Sequence, residues 1–174
     1  MGKSGFLMPT VLFICTANRF RSCLASAYFQ KLLADNGGRR NWIVGNAGTW
    51  VKEETTAHPA ALQIAKNHGL DLSAHRTQEV TQSILETADL VLVMEEGQKE
   101  ALQFEFTRQR RKIYHITQFA PEESGDIPDP AKEGFEHAEQ DAACLFHVLD
   151  IAFPHILRYF EDSNRLPTAH YTPS

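Results

Sequence analysis

Cys15, Arg21 and Ser22 stand in the order Cys-x5-Arg-Ser, within the run Cys15-Thr16-Ala17-Asn18-Arg19-Phe20-Arg21-Ser22. This spacing suits nucleophilic chemistry on an oxyanion. If a strand ends at Cys15 and a helix begins near Arg21, the loop between them turns successive backbone N–H groups and the positive end of a helix dipole towards one point. A tetrahedral anion such as phosphate fits there, held by the N–H groups of Thr16, Ala17, Asn18, Arg19, Phe20 and Arg21. The same field favours thiolate over thiol, which makes Cys15 a nucleophile placed beneath the anion. Arg21 offers a bidentate fork to two of its oxygens. The Ser22 hydroxyl donates to the sulfur and helps it leave in a second step.

A cysteine that takes up a phosphoryl group needs a general acid for the leaving oxygen. Asp129, in Ile127-Pro128-Asp129-Pro130, is the candidate, its backbone stiffened by prolines on both sides. Read alone, that dipeptide is an ordinary Asp-Pro turn and Cys15 a small buried hydrophobe, and only the pairing of the two motifs favours chemistry. A Walker-type loop is excluded by the lack of Gly-Lys-Ser/Thr, and a dinucleotide fingerprint by the lack of Gly-x-Gly. Cys23 and Cys144 form no Cys-x-x-Cys pair, and the eight histidines show no ligand spacing, so neither metal nor cofactor is expected.

Alternating elements are in place to position these residues. Residues 10–15 (TVLFIC) read as a strand, and residues 22–34 as a helix stopped by Asp35, Asn36, Gly37 and Gly38. Residues 42–44 suggest a second strand ending in Gly45-Asn46-Ala47-Gly48, and residues 58–68 a helix with Gly69 just past its end. Residues 89–94 (DLVLVM) form the most apolar strand candidate, followed by a helix at 95–111, a strand at 112–116 and a long amphipathic stretch at 132–160. Pro121 to Pro130 is a surface loop rich in turn formers. Continuously apolar strands between helices imply a doubly wound α/β fold, a parallel sheet with helices on both faces.

A chain of 174 residues that is 43% hydrophobic and 22% charged supplies the core of one domain, at residues 10–163 between an N-terminal lead (1–9) and a C-terminal tail (164–174). A formal charge of -5 lacks the basic surplus that nucleic acid requires. Three cysteines are too few for a disulfide scaffold and fit a reducing cytoplasm. The apolar run near the start, residues 11–14, is too short for a signal peptide or membrane span. Gly2 lacks the Ser or Thr a lipidation signal wants at position 6, which is Phe, so no membrane anchor is expected.

These motifs resemble the low-molecular-weight protein tyrosine phosphatases, bacterial members included. That family carries Cys-x-Gly-Asn-x-Cys-Arg-Ser after its first strand and an Asp-Pro late in the chain. Asn46-Ala47-Gly48-Thr49, Ser73-Ala74-His75-Arg76 and residues 89–94 extend the similarity over residues 10–160. The resemblance implies a four-stranded parallel sheet of order 2-1-3-4 and hydrolysis of phosphotyrosine in a phosphorylated protein substrate through a phosphocysteine. Cys15 would be the nucleophile, Arg21 the phosphate clamp, Ser22 the thiolate donor and Asp129 the acid that later acts as base. Asn18, Asn46 and His75 would hold the loop's shape, with Trp50 an aromatic wall.

Four departures stand out. Ala17 replaces the family's Gly, Phe20 its second loop Cys, Arg19 an Ile or Thr, and Ala131 the aromatic after Asp-Pro. Ala17 implies strain if its φ is positive, Phe20 removes the family's partner for the nucleophile under oxidation, and Arg19 with Ala131 shifts substrate affinity from stacking towards charge. The alternatives are a catalytically silent phosphate- or partner-binding module, an arsenate reductase and a protein-arginine phosphatase on the same fold. Oligomeric state has no sequence signature here.

Overall fold

The computed structural model describes residues 8–37 and 41–163. Residues 1–7 of the expected lead, Gly38 and the tail at 164–174 lie outside the described residues. Four parallel strands, β1 (Thr10–Cys15), β2 (Ile43–Gly48), β3 (Leu90–Val93) and β4 (Ile113–His115), lie in the order β2-β1-β3-β4. Alternation along β1 divides the core. Val11, Phe13 and Cys15 face one layer, packed with α1 (Arg21–Asp35), α2 (Pro59–Asn67) and α6 (Ala138–Asp162). Leu12 and Ile14 face the other with Val91 and Val93, covered by α3 (Gln82–Thr87) and α4 (Glu96–Glu105). In the larger layer Phe29 meets Phe13, Trp42 and Phe153 at ring-centroid distances of 5.6, 5.7 and 5.4 Å. These edge and tilted contacts add to the area the rings bury.

The structure departs from the sequence reading at several boundaries. β2 begins at Ile43 rather than Trp42, and its expected ending, residues 45–48, is itself paired with β1 as far as Cys15↔Gly48. Small residues belong there because a Cβ on Gly48 would lie 2.5 Å from the Thr16 carbonyl oxygen. The helix expected at 95–111 stops at Glu105, where Phe106 (φ −111°, ψ 66°) turns the chain towards β4. α3 was not expected; Thr81 caps its short run by accepting from Ile84 N at 3.2 Å. The stretch from 132 to 160 is not one helix. Gly134, at φ +101°, separates α5 (Pro130–Glu133) from a 3-10 turn at Phe135–His137 and from α6.

Side-chain amides cover part of β4's outer edge. Gln103 Nε2 donates to the Ile113 carbonyl at 3.0 Å, and Gln118 Oε1 accepts from His115 N at 2.9 Å. Phe135–Asp162, the 3-10 turn and α6 together, is long and apolar enough to cross a membrane, but half of its most apolar window is buried within this fold.

Candidate active site

β1 ends at the sheet's switch point, between β2 and β3, and delivers Cys15 to the floor of a cleft of about 440 Å³. Residues 16–20 then curl back to the N-terminus of α1. Their carbonyls are turned outward and held there. Thr49 N and Trp50 N donate to the carbonyls of Cys15 and Thr16 at 2.9 Å each. His75 Nε2 lies 2.8 Å from the Asn18 carbonyl, His58 N donates to Arg19 O at 2.8 Å and Leu24 N to Phe20 O at 3.0 Å. Among the described residues no partner takes the N–H groups of residues 16–20. A loop whose carbonyls at residues 15, 16, 18, 19 and 20 are bound elsewhere leaves its donors to the inside, which is the geometry of an anion nest.

Asn18 keeps that shape. It is fully buried at φ +57°, donates from Nδ2 to Ser22 Oγ (2.8 Å) and Asn46 Oδ1 (2.7 Å), and accepts Gln78 N at 2.9 Å. Asn46 in turn donates to Ser26 Oγ at 2.7 Å. Ser22 Oγ therefore receives a proton from Asn18 and has its own to give to Cys15 Sγ, 3.0 Å away. The expected strain at Ala17 is absent, because the positive φ of this loop falls on Asn18. Burial first, and then Arg76, lower the pKa of His75 against the opposing bond to Asn18. A neutral imidazole thus meets the Asn18 carbonyl.

Arg21, 2% exposed, is anchored rather than free: NH1 donates to Ile127 O at 3.0 Å and NH2 to Asp129 Oδ2 at 2.7 Å. Glu95 Oε1 lies 2.8 Å from the same NH2 outside hydrogen-bond geometry, an ionic contact. Nε–H and the second NH1 hydrogen have no hydrogen-bond partner among the described residues. Burial would raise the Glu95 carboxyl, but the bond from Lys132 and the nearby charge of Arg21 outweigh it and hold it below the usual range. Asp129 caps α5 through Ala131 N at 3.1 Å, so the Asp-Pro turn and the position beside Arg21 are one arrangement.

Trp50, 60% exposed, lines the cleft with Lys52 5.1 Å above its ring. Arg19 lines it too, its Nε bonded to Thr56 O at 3.3 Å. Phe20 is buried and packs edge-on against Phe135. Cys23 does not replace the second loop cysteine. Its sulfur donates to Phe20 O at 3.1 Å, and burial followed by nearby Cys15 pushes its thiol up.

Sequence reasoning missed Glu95, Gln98 and Lys132. Gln98 accepts from Met94 N and Glu95 N and donates to Thr16 Oγ1 at 3.0 Å, tying the end of β3 to the loop. For Glu95 and Gln98 the available signal was their position, directly after the most apolar strand, where parallel sheets place their sites, and for Lys132 its place three residues after Asp129.

Fold and site together define a phosphatase of the small parallel-sheet class with a cysteine at the base of its phosphate loop. The model of the low molecular weight phosphotyrosine protein phosphatase family matches residues 10–157, and the chain belongs to that family. It is 29% identical over 150 residues to a probable low molecular weight protein-tyrosine-phosphatase, EpsP, of Ralstonia nicotianae, covering 86% of this chain and 97% of that one. It is 30% identical over 120 residues to a protein-arginine-phosphatase of Bacillus subtilis, covering 69% and 78%. The solved low molecular weight protein tyrosine phosphatase of T. tengcongensis superposes with a TM-score of 0.75 at 29% identity, covering 87% of this chain and 99% of that one.

Proposed function

We propose that the protein hydrolyses phosphotyrosine in protein substrates through a phosphocysteine. Cys15 Sγ attacks phosphorus in line, the S–P bond forms as the P–O bond to the phenol breaks, and Asp129 passes its proton to the departing oxygen. Water then attacks the phosphocysteine, gives a proton to the Asp129 carboxylate, and expels the sulfur, whose charge the Ser22 O–H receives. Inorganic phosphate leaves. The developing charge on the equatorial oxygens is met by the loop N–H groups of residues 16–21 and by Arg21. The observation that carries this reading is the set of outward-held carbonyls around Cys15, with Ser22 3.0 Å from its sulfur.

A phosphotyrosyl side chain fits the cleft better than phosphoarginine. Trp50, Phe20, His58 and Phe135 give it aromatic walls, and the rim cations Arg19 and Lys132 oppose a guanidinium. A cytoplasmic setting, which keeps the three free cysteines reduced, belongs to the same proposal. The test is Cys15→Ser, which is expected to abolish hydrolysis of an aryl phosphate while inorganic phosphate still binds. Hydrolysis that survives the change removes Cys15 as nucleophile.

A further inference from the structure

Ala131 gives the cleft a methyl group directly after Asp129-Pro130, and no aromatic face stands at that position. The chain brings one back four residues later. Gly134, at φ +101°, reverses the backbone so that Phe135 returns to the cleft wall. Its ring lies flat against the His58 imidazole, with centroids 3.6 Å apart and planes within 6°. Phe20 closes the third side edge-on, 5.9 Å from Phe135. Three rings from three segments, the phosphate loop, the start of α2 and the turn after α5, thus line one wall.

His58 occupies the N-cap of α2 and accepts from Ala60 N through Nδ1 at 3.2 Å. That bond requires Nδ1 to be unprotonated, which fixes the tautomer with hydrogen on Nε2. Burial first, and Arg19 second, lower the His58 pKa in the same sense. Ser, Asp and Asn are the preferred caps at such a position. Asp there would set a negative charge in the wall of a site for dianions, and none of the three brings a ring. The imidazole satisfies the cap and also presents an uncharged aromatic plane. The backbone N–H of His58 donates to the Arg19 carbonyl at 2.8 Å, so the wall is fixed to the phosphate loop itself.

We propose that the stacked pair His58–Phe135 is the wall that receives the substrate's aryl ring, making His58 a specificity-determining residue for aromatic over aliphatic phosphoesters. The proposal rests on the phosphatase reading above and deepens it, and it reverses the expectation that Ala131 shifts affinity from stacking to charge. The ring missing at position 131 is supplied from positions 58 and 135.

Two variants separate capping from ring contact: His58→Asn keeps a neutral cap and removes the ring, while His58→Phe keeps a ring and removes the cap. The readout is the dissociation constant of phenylphosphonate against that of methylphosphonate, by calorimetry, with thermal unfolding alongside. His58→Asn is expected to bind phenylphosphonate about 3- to 10-fold more weakly with methylphosphonate little changed, the range an aromatic contact supplies. His58→Phe should retain the preference for phenyl at a lower unfolding temperature, and Phe135→Ala should lose it. An unchanged phenyl-to-methyl ratio in His58→Asn and Phe135→Ala overturns the proposal and leaves the phosphatase reading standing. Wild-type protein that binds neither phosphonate overturns both.

Discussion

Asn18→Ala and Asn18→Gly remove the same side chain but leave different backbones, and the pair isolates the conformational cost of the phosphate loop. Asn18 is fully buried at φ +57° and makes three side-chain hydrogen bonds of 2.7–2.9 Å, to Ser22, Asn46 and Gln78 N. Both variants lose all three. At about 1 kcal/mol net per bond, and more where buried Ser22 is left without its donor, each should be destabilised by about 3–4 kcal/mol. Alanine adds about 1–2 kcal/mol for a left-handed backbone. Glycine escapes that strain but concedes about 0.4–1 kcal/mol through the greater entropy of its unfolded chain. The glycine variant is therefore expected to be the more stable by about 0.5–1 kcal/mol, reversing the order seen within regular elements. Urea unfolding followed by the fluorescence of Trp42 and Trp50, extrapolated linearly to water, measures the difference. An alanine variant as stable as the glycine variant, or more so, would refute the positive φ at position 18. Turnover should fall in both, because Ser22 loses the donor that leaves its own proton for Cys15.

Two further outcomes follow from the cluster around Arg21. Asp129→Asn keeps a side chain able to cap α5, so the fold should persist while turnover drops about 10²–10⁴-fold for leaving groups that need a proton, and less for an acidic phenol; an unchanged slope across a leaving-group series returns Asp129 to the role of a cap. Glu95 has a folded-state pKa below its ordinary 4.5, so its contribution to stability is present above that value and is lost as pH falls through the lowered one. Wild-type protein should accordingly lose more unfolding free energy than Glu95→Gln when the pH is taken from 6 to below 4.5, and parallel losses would show that the contacts of Glu95 with Lys132 and Arg21 carry no linkage.

Apart from Asp129, which its flanking prolines marked, the parts of the site that could be read from the residues are those that are contiguous in sequence. Cys15, Arg21 and Ser22 share one strand-loop-helix segment, so their spacing alone sets their geometry, and β1 and β3 announced themselves as unbroken apolar runs. Asn46 and His75 became visible only through resemblance, since nothing local marks an asparagine on β2 or a turn histidine as a support for residue 18. Glu95, Gln98, His58 and Phe135 stayed hidden for a different reason. Each acts across the mouth formed where crossovers bring strand ends and helix starts together, and no period or spacing encodes that meeting. The boundary errors have the same origin. α4 ends without Gly or Pro because the chain must turn to pair β4 with β3, and β2 ends in Gly48 because its close approach to the Thr16 carbonyl leaves no room for a Cβ.

The charges around Arg21 constrain how substrate and proton must arrive. Arg21 and Lys132 face Glu95 and Asp129 across contacts of 2.7–2.8 Å, so with every group ionised the cluster sums to zero. A phosphate dianion entering beside it meets the loop N–H groups, but it also meets the Asp129 carboxylate. Like charges that close repel by several kcal/mol at an effective dielectric of about 20. Glu95 relieves none of this, because it already shares Arg21 NH2 and is bonded to Lys132. The proposed mechanism avoids this repulsion, because its general acid arrives with the proton that it hands to the leaving oxygen. In the proposed mechanism the contacts that bind Arg21 on both sides set the phosphate clamp and the general acid on one guanidinium. On the same proposal, once a phenol has left with that proton, the Asp129 carboxylate can bond Arg21 NH2 at 2.7 Å, as it does here, and take a proton from water.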